Sequence, residues 1–153
     1  MKIIYHCYGG THSSVLAAAL HLGIFNSHKF PRFKELLSCP YFDKVKNSEL
    51  GKIFFMGKDE RGHEVYVMGC RNAGSLVERA LREFSRIMNI NHEEVIFVGT
   101  MPCLNILLKL GGFLSRSFNL VTLGRLLLYP GCMLAYRKIA KVVEEVKSRS
   151  CYC

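Results

Sequence analysis

Acidic side chains are in short supply in this chain: 12 Asp and Glu stand against 21 Lys and Arg, leaving a formal net charge of +9 over 153 residues. A positive field of this kind concentrates phosphorylated ligands or nucleic acid near a surface without choosing among them. The basic residues are spread from Lys29 to Arg149, and no aromatic-studded basic motif of the RNA-recognition type is present. Nucleic-acid binding therefore has only charge behind it, and a solvated basic surface is the simpler expectation. No apolar run reaches membrane-spanning length, because Asn105, Lys109 and the pair Gly111-Gly112 interrupt the longest one. The N-terminus also lacks the apolar core of a signal peptide, so a cytosolic protein without a membrane partner is expected. No Cys-x-x-Cys pair occurs among the seven cysteines, and an odd count suits reduced thiols better than a disulfide framework. The GxxxxGK[ST] loop of nucleotide hydrolases and the GxGxxG fingerprint of dinucleotide sites are both missing. The sequence names no cofactor.

What is present is concentrated at the start. Lys2-Ile3-Ile4-Tyr5-His6-Cys7 has the apolar character of a strand covered on both faces, and Gly9-Gly10-Thr11-His12-Ser13-Ser14 follows at once as a polar turn. Val15, Ala18, Ala19 and Leu22 then recur at helical spacing up to Gly23, a C-cap residue. Amides at a helix N-terminus have no intrahelical partner and carry partial positive charge, so Gly9, Gly10, Thr11, Ser13 and Ser14 form a candidate anion cradle. Cys7 and His12 stand beside it.

Four further apolar runs end in glycine: Ile53–Gly57, Val65–Gly69, Val95–Gly99 and Leu120–Gly124. The second and third candidate strands are separated by Lys58–His63, short enough for a hairpin, while the others alternate with helices. Ser75 and Glu78 have the spacing of a capping box ahead of a helix whose apolar side takes in Leu76, Ala80, Phe84 and Ile87. Leu104, Leu107 and Leu108 predict a helix after Pro102 that ends near Gly111-Gly112, and Ile139, Val142, Val143 and Val146 predict a last one. With 50% hydrophobic residues, the chain is expected to form a single α/β domain over residues 1–153 with a frayed tail at 148–153. That domain would be three-layered, Rossmann-like or P-loop-like, with a mostly parallel five-stranded sheet and one β-hairpin.

Ligands of such sheets bind beyond the carboxyl ends of the strands. Cys7, Cys70, Cys103 and Cys132 each follow a candidate strand and, with His6 and His12, could meet at one crevice; small core hydrophobes are the simpler role for free cysteines, and no metal site is assigned. Asp43 is a candidate acid or base, with turn capping or a Lys44 pair as its plainer role. Arg116 and Arg125 are candidate anion contacts, with surface ion pairing as the alternative. Cys7 is either a nucleophile whose thiolate is favoured by the helix dipole and by His12, or a buried structural cysteine.

The first loop resembles cysteine-dependent phosphatases in placing Cys at a strand end, but their C-x5-R spacing puts arginine where this chain has Ser13. Cys7, Gly10, Thr11, Ser13 and Ser14 also match the outline of the phosphocysteine loop in certain sugar phosphotransferase IIB domains. Four motifs remain: His6–Ser14, Pro40-Tyr41-Phe42-Asp43-Lys44, Asp59-Glu60-x-Gly62, and Gly111–Arg116 followed by Gly124-Arg125. On these the chain resembles, nearly end to end, an uncharacterised bacterial family, domain-of-unknown-function family 3189, found mainly in endospore formers. It implies membership and no reaction. The expectation is a small α/β enzyme of phosphoryl-transfer or cysteine-dependent type that binds a phosphorylated or otherwise anionic small molecule. The alternatives are a non-enzymatic anion-sensing module and a nucleic-acid binder.

Overall fold

The computed structural model describes residues 1–89, 94–117 and 121–149. Among them four strands form one sheet: β1 (Lys2–Cys7), β2 (Ile53–Lys58), β3 (Glu64–Gly69) and β4 (Val95–Gly99), in the order β2-β3-β1-β4. Five helices accompany them: α1 (Ser13–His21), α2 (Phe33–Ser38), α3 (Gly74–Ile87), α4 (Ile106–Ser117) and α5 (Val121–Arg149). β1 pairs in parallel with β3, in a register that sets Lys2 opposite Glu64, and with β4. β2 runs antiparallel to β3 across the expected hairpin, and the sheet is therefore mixed.

Strand alternation divides the core in two. Ile3, Tyr5, Val65, Val67 and Val98 point to the face covered by α1 and α5, where they meet Val15, Leu16, Leu128, Ile139 and Val143. Every residue of α1 is buried, which suits its run of apolar and mostly small residues from Val15 to Leu20, with the polar Ser13, Ser14 and His21 at its two ends. Ile4 and Met68 point to the opposite face and pack with Val77 and Leu81 of α3. Helices thus cover both faces.

Three expectations are corrected. The expected five-stranded sheet has four strands among the described residues, because Val121–Gly124 open α5 instead of forming a strand; Leu120 lies outside the described residues. Their β propensity yields to a continuous helical stripe in which Leu128, Cys132, Ala135, Tyr136 and Ile139 are buried. The helix after Pro102 does not stop at Gly111-Gly112. Gly111 lies so close to α5 that a methyl group on it would stand 2.9 Å from the Gly124 carbonyl oxygen, and this tight crossing holds the helix through the glycines. In α3, which starts at Gly74 without a side-chain cap, the buried side carries Val77 and Leu81, while Leu76, Phe84 and Ile87 face outward, Ile87 at 77% exposure. The guanidinium of Arg82 covers the Phe97 ring at 5.5 Å, supplying part of the packing expected from those apolar residues. Of the tail expected at 148–153, Ser148 and Arg149 close α5 and the rest lies outside the described residues. No helix among the described residues is long and apolar enough to cross a membrane.

Candidate functional site

β1 carries Cys7 to the carboxyl edge of the sheet, and the chain doubles back through residues 8–12 before α1 begins. Gly10 makes the turn at φ +65°; a methyl group there would lie 2.4 Å from the Gly69 nitrogen, so only glycine fits. The turn wraps the sulfur. The Gly10 amide donates to Cys7 Sγ at 3.2 Å, and Ser14 Oγ lies 3.2 Å from the same atom. Burial pushes the thiol pKa up, but hydrogen bonds from the Ser14 hydroxyl and amide, the Ser13 hydroxyl and the Gly10 amide together outweigh it and hold Cys7 below its ordinary value. Burial without such donors raises Cys39 and Cys70 to about 11 and raises Cys103 and Cys132 as well. Cys7 is therefore the buried cysteine distinguished by its acidity.

The other loop residues divide by role. Thr11 is a fastener: its hydroxyl donates to the Tyr41 carbonyl at 2.6 Å and accepts from the Lys44 and Val45 amides, and its carbonyl accepts from the Asp43 amide. Ser13 Oγ lies 2.9 Å from Thr100 Oγ1, and Thr100 gives its own proton to the His6 carbonyl. Ser13 thus has one proton to divide between Thr100 and the sulfur. His12 places Nε2 at 3.2 Å from Asp43 Oδ1, and Asp43 Oδ2 accepts from Arg125 Nε at 2.8 Å. Burial alone would raise the Asp43 carboxyl; the hydrogen bonds and charges of His12 and Arg125 prevail and bring it down to about 2. Tyr41 and Asp43 both hold left-handed backbone, at φ +61° and +55°, so the segment that presents this carboxylate is conformationally costly.

A cleft of about 510 Å³ opens over the loop, and Cys7, Gly9, His12 and Ser13 line it together with Tyr8. Gly10, Thr11, Ser14, Asp43 and Arg125 do not line it. Asp43 and Arg125 reach the cleft through His12, and Arg125 is committed to the carboxylate. Arg116 falls in α4 with its side chain outside the described residues. The four cysteines that follow candidate strands do not assemble with His6 and His12: among the described residues, no group of three or more His, Cys, Asp or Glu is placed to hold a metal ion. His6 points to the other face, where its ring sits against Gly74 and Gly99, Nδ1 has no partner, and burial lowers its pKa.

Sequence reasoning missed two cations. Arg71, in the turn after β3, and Lys109, on α4, both line the cleft, and neither is paired with a carboxylate among the described residues; no Asp or Glu lines it. The Arg71 amide donates to the Tyr8 carbonyl at 2.8 Å, tying the β3 turn to the Cys7 loop, with Arg71 itself at φ +49°. The rule that ligand residues follow strands pointed at this position through its neighbour Cys70. Nothing local in α4 marked Lys109, or the wall formed by Met101, Leu104, Leu108 and Phe113. α4 passes beside the loop at Gly112, where a methyl group would make ordinary van der Waals contact with His12 Nδ1 at 3.6 Å.

No curated protein and no solved structure matches this chain. The model of the DUF3189 family, described as a protein of unknown function, matches residues 2–148, and the chain therefore belongs to that family.

Proposed function

We propose that this protein is a small enzyme acting on a phosphorylated or otherwise anionic small molecule bound in the cleft above the β1–α1 turn. One observation carries the proposal: a cysteine held below its ordinary pKa faces a cleft with Arg71 and Lys109 on its walls and, among the described residues, no carboxylate. The position also suits it. From β1 the sheet extends through β3 to one side and to β4 on the other, and such divergence points are where open α/β sheets of the Rossmann-like and P-loop-like kind hold phosphates.

In this reading Cys7 is the nucleophile, and His12, oriented through Nε2 by Asp43 and Arg125, is the acid and base. With a phosphate monoester, the thiolate attacks phosphorus, a P–S bond forms as the P–O ester bond breaks, and the leaving oxygen takes a proton from His12. Water then attacks phosphorus and gives a proton back to His12. The P–S bond breaks, and phosphate and the thiolate are released.

Inorganic phosphate added at millimolar concentration should raise the melting temperature of the wild type, and Arg71→Ala should abolish most of that rise. An unchanged melting temperature in the presence of phosphate, sulfate and sugar phosphates alike would refute the anion site. The seclusion of Cys7, only 4% exposed, favours a second reading, an anion-sensing module without covalent chemistry. Release of nitrophenol from nitrophenyl phosphate by the wild type and not by Cys7→Ser supports the enzyme. Anion binding with no turnover supports the module.

A further inference from the structure

We propose that the cleft selects phosphate monoesters whose alcohol half is apolar and aromatic, with Arg71 holding the phosphoryl group and Phe113 the ring; this specificity rests on the anion site proposed above. The two walls of the cleft are chemically unlike. On the loop wall stand Gly9, Arg71 and Asn72, a guanidinium and an amide beside the thiol. Guanidinium forks bind phosphoryl oxygens in pairs, and this one supplies the cation that the Ser13 position lacks.

The helical wall offers Met101, Leu104, Leu108 and Phe113, with Tyr8 at the mouth. Phe113 and Tyr8 are 55% and 48% exposed, so each has a large apolar surface still open to a ligand. An inorganic anion would leave that wall wet, and a sugar phosphate would set hydroxyl groups against it without partners. An aryl phosphate fills both walls at once. At about 510 Å³ the cleft falls within the size range of small-molecule sites.

Titration calorimetry on the full chain with inorganic phosphate, phenyl phosphate, glycerol 2-phosphate and adenosine monophosphate tests this. Phenyl phosphate should bind about tenfold tighter than each of the other three, as burial of one ring predicts. Phe113→Ala should erase that margin and leave the affinity for inorganic phosphate within about twofold, whereas Arg71→Ala should weaken every anion about tenfold or more. Both side chains are exposed, and unchanged melting temperatures of the unliganded variants will verify that they fold. Phosphate that binds no less tightly than phenyl phosphate, or a nucleotide that binds more tightly, overturns the specificity and leaves the anion site standing. Failure of all four ligands to bind overturns both.

Discussion

His12 Nε2 lies 3.2 Å from Asp43 Oδ1, joining the glycine loop to a segment 31 residues further on. The Asp43 side chain is 3% exposed, and its second oxygen is held by Arg125. One carboxylate thus fixes the orientation of the only imidazole in the cleft among the described residues.

Asp43→Asn removes the charge and keeps the shape. Hydrogen bonds to charged groups are worth about 1.5–3 kcal/mol each, so the variant should be destabilised by about 2 kcal/mol or more in urea unfolding. Arg125→Ala should cost at most about 1 kcal/mol, because that side chain is partly open to solvent. Equal stability of Asp43→Asn and wild type would show that the carboxylate is not engaged as described.

Acid should destabilise the fold in two stages. His21 is buried against Tyr5 and Asp59, and burial lowers its pKa, as it does for His6. The unfolded chain takes up those protons near pH ~6.5 while the folded chain resists, so stability falls as pH drops below that value. Asp43 and Asp59 are both brought down to about 2, and their contribution, complete above pH ~4, is lost as pH falls toward 2. Melting temperatures measured from pH 8 to pH 3 should therefore be flat at first and decline in both windows. Stability that increases between pH 6.5 and 5 would contradict the buried neutral histidines.

Glycine substitutions should separate conformational strain from steric conflict. Gly62→Ala meets nothing within 4 Å, so its φ of +80° should be its whole penalty, about 1–2 kcal/mol. Gly10→Ala adds to φ +65° a methyl group 2.4 Å from backbone nitrogen and should cost about 4 kcal/mol or more. Gly74→Ala would press 2.7 Å from the His6 ring, which Gly99 blocks on another side. Equal losses for Gly10→Ala and Gly62→Ala in urea unfolding would show that the Gly10–Gly69 approach is looser than described.

Thiolate formation at Cys7 should depend on Ser14. Ultraviolet titration, with Cys7→Ser subtracted as background, should give a pKa below the ordinary thiol value in the wild type and a higher one in Ser14→Ala, which loses the hydroxyl that lies 3.2 Å from the sulfur. An identical titration in both proteins would remove Ser14 from the cradle.

Much of this was written locally. The strands at Ile53, Val65 and Val95, the first strand and the following helix, and the hairpin between Lys58 and Glu64 follow from short-range alternation and turn chemistry, which depend on neighbours a few positions apart. The same short-range order brings Cys7, Gly10 and Ser14 together, since the end of a strand, a tight turn and the start of a helix lie within the eight residues from Cys7 to Ser14. Tertiary structure decided the rest. Val121–Gly124 became helix because burial of Leu128 through Ile139 outweighs β propensity, and α3 turned outward the side that its pattern marked as core because the sheet face packs against Val77 and Leu81, with Arg82 over Phe97. Arg71, Lys109 and Phe113 reached the cleft, and Asp43 reached His12, through strand order and the crossing of α4 on α5. Those juxtapositions join residues tens of positions apart, and no window of local sequence carries the free energy that selects them.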